Sequence, residues 1–307
     1  MEGSRLVISL SPHIRDKDTT QKIMFTVVLA LIPVWAAATY FFGFNSIRLV
    51  LLSSITAVAA EAVIMVIRRQ PVTAVLDGSA LVTGMLLGLS LPPSLPSWMA
   101  VLGAVVAIVV GKQVFGGLGS NPFNPALVGR AFLVASFSKA MTTWTAPFTD
   151  TVTAATPLIN QNAVSYSELF FGTTAGSLGE TSALAILLGG IFLFYRGVLD
   201  YRIPVGFLGS AAVLMFLFGE DPIFHLLSGS LLLGAVFMAT DMVTTPITPK
   251  GRWIFGIGCG VILVLIRLWG SLPEGLTYSI LLMNAATPLI NRWTRPRIFG
   301  QGVKTHE

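Results

Sequence analysis

Apolar positions come in runs of close to twenty residues, separated by short clusters of charge, proline or glycine. The runs fall near 23–42, 47–67, 74–92, 98–118 and 122–138, then near 182–198, 203–218, 223–241, 252–270 and 275–291. A helix needs about 20 apolar residues to cross a bilayer. The pattern therefore predicts an all-α polytopic membrane protein of about ten transmembrane helices. Two or three runs are short and interrupted by Gly or Pro, as half-helices around a cavity would be. Five spans per set make the second set begin on the opposite side from the first, which predicts a 5+5 inverted-topology repeat with broken half-helices. Gly78-Ser79 opening the third span recurs as Gly229-Ser230 opening the eighth, and prolines follow both, at Pro92-Pro93 and Pro246.

Composition agrees: of 307 residues, 54% are hydrophobic and 11% charged, with mean hydropathy +0.79, too little charge to cover a soluble surface. The net charge of +5 suits the positive-inside rule better than nucleic acid, which is not expected as a partner. With the N-terminus inside, Arg5, Arg15, Arg68, Arg69, Lys112, Arg196, Arg202, Lys250, Arg252, Arg292 and Arg295 fall on the cytoplasmic side. Arg48 and Lys139 alone fall outside, and Arg130 and Arg267 lie within helices. Both termini are thus expected in the cytoplasm of a bacterial inner membrane. The chain divides into an arm (1–22), a first membrane half (23–138), an external loop rich in Thr, Ser, Ala and Gly (139–181), a second membrane half (182–291) and a tail (292–307). Residues 1–22 are polar and lack the apolar core of a signal peptide, so the first helix is expected to serve as the insertion signal.

Cys259 is the single cysteine, and His13, His225 and His306 show no metal-ligand spacing. No iron–sulfur or zinc site is expected, since each needs several ligands. Acids inside apolar runs are costly and therefore informative; Glu61, Asp77 and Asp241 are candidates for an ion or proton pathway. Asp77 and Asp241 belong to spans expected to run toward the centre from opposite faces, and each also reads as a helix-end carboxylate at an aqueous boundary. A second signal is Gly116-Gly117-Leu118-Gly119-Ser120-Asn121-Pro122-Phe123-Asn124-Pro125-Ala126. Two Asn-Pro steps force extended backbone before a helix, with Asn124 as its cap. At membrane depth such a break lines a cavity, and asparagine amides suit a planar heterocycle such as a flavin; an ordinary capped loop is the alternative. A third stretch, Asp150-Thr151-Val152-Thr153-Ala154-Ala155-Thr156-Pro157, lies in the external loop, and its Ala-Ala-Thr-Pro-Leu-Ile-Asn string recurs around Thr287.

Together these stretches resemble a known family. Ser11-Pro12-His13, Asp77-Gly78, Gly111-Lys112-Gln113-Val114-Phe115-Gly116-Gly117, Asn124-Pro125-Ala126, Gly129-Arg130-Ala131-Phe132 and Phe237-Met238-Ala239-Thr240-Asp241 are similar to the D subunit of the Rnf ion-translocating ferredoxin:NAD oxidoreductase. The same stretches are similar to the B subunit of the sodium-pumping NADH:quinone reductase, and the short N-terminal arm favours the Rnf type. The resemblance implies FMN joined through its phosphate to Thr156, within a motif matched by Asp150, Thr153 and Ala155, and riboflavin near Asn121 and Asn124. Asp77 stands where the quinone-reductase relative has a glutamate linked to cation uptake. A subunit of this kind relays electrons across the membrane, coupled to Na⁺ or H⁺ translocation, and is not catalytic alone. It implies partners: iron–sulfur, NAD-binding and second membrane flavin subunits, and a flavin transferase for maturation. The chain shows no strand–GxGxxG–helix pattern of its own. The competing expectation is a secondary transporter or channel, which the inverted repeat and buried acids alone would favour.

Overall fold

The computed structural model describes residues 18–148, 152–153, 158, 164–270 and 275–296. The Thr19 side chain accepts from the Lys22 amide (3.3 Å) and opens α1, Thr20–Phe42. Gly43, at φ 58°, ends it, and α2, Phe44–Ile67, returns. The run near 74–92 does not form one helix. Pro71 starts a 3₁₀ turn over Val72–Asp77, Gly78 takes a left-handed φ of 83°, and only then does α3, Ser79–Leu89, begin. Its 11 residues rise about 16 Å, half of a bilayer core.

α4, Ser97–Ile108, widens into a π turn over Val109–Gln113, a distortion found disproportionately at functional sites. The loop that follows carries three glycines of positive φ, Gly116, Gly117 and Gly119. It delivers the chain to α5, Pro125–Ser136, where the Asn124 side chain accepts from the Ala126 and Leu127 amides, with proline at the first position. The described part of the 139–181 loop contains α6, Ser138–Met141 at its start, a two-stranded hairpin of β1 (Trp144–Thr145) and β2 (Val152–Thr153), and α7, Tyr166–Phe171. Its last limb is not a solvated loop: Thr174, Ser177, Leu178, Glu180 and Thr181 are all buried.

The second half begins with α8, Ala183–Tyr195, and α9, Arg202–Leu217. The run near 223–241 breaks as the third did. α10, Pro222–Leu227, stops before Gly229 (φ 69°), and α11, Leu231–Leu233, continues as a π turn over Gly234–Met238. α12, Pro249–Trp269, and α13, Leu276–Thr294, complete the chain. By length and composition α1, α2 and α12 can each cross a membrane unaided, and the shorter apolar helices pack among them. The half-helices expected where Gly and Pro interrupt the apolar runs are those at 74–92, 122–138 and 223–241.

Packing repeats between the halves. α2 packs on α3 and α4 and α4 on α5, while α9 packs on α10 and α12 and α12 on α13. The halves meet through α1 on α8 and α5 on α13. The π turns do not correspond, since one ends α4 and the other follows α11. Close backbone approach replaces a hydrophobic driving force between these helices. A Cβ on Gly84 would lie 2.4 Å from the Ser54 Cα, and one on Gly189 would lie 2.3 Å from the Ala30 carbonyl oxygen. Large apolar side chains such as Leu29, Ile55, Ile191 and Phe216 point outward, as lipid-facing residues of a multi-pass membrane protein do.

Candidate functional site

The broken helices converge on one cleft. Its volume is about 790 Å³ including the open mouth, and its walls come from the start of α1, α3, the π turn after α4, the Asn121–Pro125 loop, the end of α8 and the stretch from Phe237 to Val243. Most of the wall is apolar; the polar residues that reach it are Ser79, Thr83, Lys112, Asn121, Asn124, Thr240 and Asp241.

Lys112, 1% exposed, anchors the polar side. Its ammonium lies 2.6 Å from Glu61 Oε1 and donates to Ser79 Oγ at 2.5 Å. Ser79 in turn donates to Asp77 Oδ1 from both hydroxyl (2.6 Å) and amide (2.8 Å). Gln113 Nε2 donates to the same Glu61 oxygen (2.7 Å), and Arg68 donates to the Gln113 side-chain and backbone carbonyls. A charge taken out of water costs several kcal/mol unless paired and hydrogen-bonded, roughly as much as the pairing returns. Glu61 Oε2 nonetheless has no hydrogen-bond partner among the described residues.

The two asparagines differ in availability. Asn124 Oδ1 caps α5, and its Nδ2 donates to the Met238 carbonyl (3.1 Å), tying the first half to the second π turn. Asn284 on α13 accepts from the Asn124 amide (3.3 Å) and donates to the Thr244 carbonyl (3.1 Å). Asn121 Nδ2 donates to the Phe123 carbonyl (3.0 Å), but its Oδ1 is buried with no hydrogen-bond partner among the described residues.

The profile of the NQR2, RnfD, RnfE family matches residues 7–300. The chain belongs to this family. It is 50% identical over 309 residues to the D subunit of the Na⁺-translocating ferredoxin:NAD⁺ oxidoreductase complex of Acetobacterium woodii, covering 98% of this chain and 97% of that one. It is 44% identical over 317 residues to the proton-translocating counterpart of Clostridium ljungdahlii, covering 95% and 96%. It is 40% identical over 333 residues to the D subunit of an ion-translocating oxidoreductase complex of Stutzerimonas stutzeri, covering 94% of each.

Against this NQR2, RnfD, RnfE membership, the structure brings Asn121, Asn124 and Asp241 onto the cleft, with Glu61 directly behind Lys112 and Asp77 behind Ser79. Asp77 and Asp241 share one pole although their spans enter from opposite faces, because Asp77 starts its span and Asp241 ends its own. The Asp241 carboxylate accepts from the Val243 amide (3.4 Å) and the Thr244 hydroxyl (3.2 Å). Asp150, Ala155 and Thr156 lie outside the described residues; Thr153 is in β2, in register with Trp144. Thr287 is buried, its hydroxyl donating to the Thr244 (3.0 Å) and Met283 (3.1 Å) carbonyls.

Sequence reasoning assigned no role to Lys112, Gln113, Arg68 or Ser79. A lysine inside an apolar run was the available signal for Lys112. Nearby, Asp200 bridges Arg202 (2.8 Å) and Arg252. Burial raises the Asp200 carboxyl, but the Arg202 amide and the Arg252 guanidinium outweigh that and hold it below the usual range.

Proposed function

We propose that this chain is the flavin-bearing membrane subunit of an ion-translocating ferredoxin:NAD oxidoreductase, with riboflavin held in the Asn121 cleft and FMN joined through its phosphate to Thr156. The observation that carries the reading is Asn121 Oδ1, a buried acceptor without a partner on the wall of a mostly apolar cleft. An orphaned acceptor is costly unless a ligand supplies the donor, and the imide N–H of a flavin ring is such a donor. Asn124 would act one step back, since its amide already caps α5 and grips Met238. Lys112 supplies a fixed positive charge, and Leu118, Met24 and Phe237 offer apolar faces that exclude water from a ring between them. When bound, flavins accept and release one or two electrons.

The FMN assignment rests on the Asp150, Thr153, Ala155 and Thr156 motif and on a contrast. Thr287 carries the same flanking string but is buried with its hydroxyl engaged, so no transferase could reach it. Iron–sulfur, NAD-binding and second flavin subunits would supply what a chain with one cysteine cannot. The subunit would sit in the bacterial inner membrane with both termini in the cytoplasm. Electron transfer between an inner and an outer flavin moves charge across the bilayer, worth about 2.3 kcal/mol per elementary charge per 100 mV, which can drive Na⁺ or H⁺ the other way.

The test is in-gel fluorescence after denaturing electrophoresis, using protein coexpressed with a flavin transferase. The expected band persists in Thr287→Ala and vanishes in Thr156→Ala, and peptide mass spectrometry of 139–181 shows the adduct on Thr156. Wild-type protein without a fluorescent band would instead favour a transporter with no redox role.

A further inference from the structure

Among the described residues, the buried acidic and basic side chains are Glu61, Lys112, Arg130, Glu180 and His225. Glu61 and Lys112 belong to the cleft end. His225 lies in α10, at the opposite end, where the second half-helix begins. Arg130 and Glu180 stand between, 3.0 Å apart and 2% and 5% exposed. Arg130 comes five residues after Pro125 on α5, a rise of about 7.5 Å from the cleft. Glu180 belongs to the buried limb that docks on the far end of α3, with the Leu178 amide on the Leu91 carbonyl (3.0 Å) and the Gly179 amide on the Leu89 carbonyl (2.6 Å). Gly179 is wedged between the half-helices of the two halves, since a Cβ there would lie 2.8 Å from Leu89 and 3.3 Å from Leu233. This limb therefore fills the space between α3 and α11, beyond the cleft.

An ionised pair at this depth is expensive, and leucine could have filled the same space. A neutral clamp needs no carboxylate with a spare oxygen. Glu180 Oε2 and the Ser177 hydroxyl, both in the turn closed by the Glu180 amide on the Ser177 carbonyl (3.1 Å), have no hydrogen-bond partner among the described residues. Unengaged hard oxygens next to a carboxylate suit a proton or a small monovalent cation. We propose that Glu180 is a relay site for H⁺ or Na⁺ midway between the cleft and the opposite end, with Arg130 as its resident counter-charge. The inference rests on the ion-translocating reading above. The cation docks on the free face of the carboxylate while Arg130 holds the other oxygen, so the site carries a net positive charge only while occupied and releases its cargo readily.

The experiment uses the whole complex in sealed vesicles, with sodium-22 uptake in one arm and a pH dye in Na⁺-free buffer in the other. Glu180→Gln keeps the shape of the side chain and is expected to assemble, to show the flavin band, and to lose about tenfold or more of ion transport. Glu180→Asp should transport with a raised cation requirement. The Arg130→Glu/Glu180→Arg exchange, which restores a clamp but moves the carboxylate, should transport no better than Glu180→Gln. Transport with wild-type rate and cation dependence in Glu180→Gln or in the exchange overturns the proposal. If Glu180→Gln does not assemble, unchanged cation dependence in Glu180→Asp overturns it. Lack of a flavin band in the wild-type complex sinks the electron-carrier reading instead, so the two failures are told apart.

Discussion

Asn121 and Asn124 are the same residue type three positions apart, yet they do different work. Asn124 is an N-cap with its amide also engaged across the halves, whereas Asn121 keeps one acceptor open toward the cleft. Asn124→Ala should therefore lower stability by about 1–2 kcal/mol, as a lost cap does, seen as a reduced thermal midpoint in detergent. Asn121→Leu should leave the midpoint nearly unchanged but deplete extractable riboflavin, measured by chromatography of the acid extract. Equal riboflavin in Asn121→Leu and wild type would remove the flavin from this cleft. The Asn-Pro steps were legible in the sequence because proline and asparagine have strong local preferences. Lys112 was legible only as a charge. Near the end of an apolar run a lysine reads as snorkelling to the boundary, and it takes the fold to bury it against Glu61, distant in the chain. Removing one partner of such a pair typically costs about 3–5 kcal/mol, because the other charge is left uncompensated.

Among the elements, the broken helices decide where chemistry can occur. α3 lies between two breaks, and its backbone groups there are met by the Asp77 side chain and by the 178–179 limb rather than by lipid. The glycine-marked breaks at Gly78 and Gly229 were visible as sequence pairs, but the docking limb was not. Its Thr, Ser and Gly content reads as a solvated loop, and only contact with Leu89 and Leu233 makes it a buried plug. Outside the spans, Asp200 ties the start of α9 to the first turn of α12 through Arg202 and Arg252. Its folded carboxyl titrates below the ordinary 3.8. The stabilisation it gives is therefore complete above that value and lost as pH falls through the lower folded one. Because the pair is partly exposed, about 0.5–1 kcal/mol is at stake. Thermal midpoints measured from pH 5 down to well below 3.8 should fall more steeply in wild type than in Asp200→Asn; parallel curves would mean the bridge contributes nothing.

At the scale of the whole molecule, the proposed function depends on sidedness, since the two proposed flavins would help only if they faced opposite compartments. The native Cys259 is fully buried in α12, so single introduced cysteines can report topology. Lys139→Cys should react with an impermeant maleimide added outside intact cells, and Arg292→Cys only after lysis. Reversal of that pattern would put Thr156 in the cytoplasm and end the outer-flavin assignment. The sequence by itself determined the membrane class, the approximate spans, the places where helices break and, through its motifs, the family. Each of these follows from hydropathy, from proline and glycine, or from short contiguous strings, all local properties of the chain. Tertiary structure alone decided that Glu61, Asp77, Lys112 and Asp241 share one end, that Asn121 rather than Asn124 keeps a free acceptor, and that Arg130 finds Glu180. Those pairings join residues tens to more than a hundred positions apart, and what selects them is the cost of leaving a polar group unpaired in an apolar interior, which no local stretch of chain can settle.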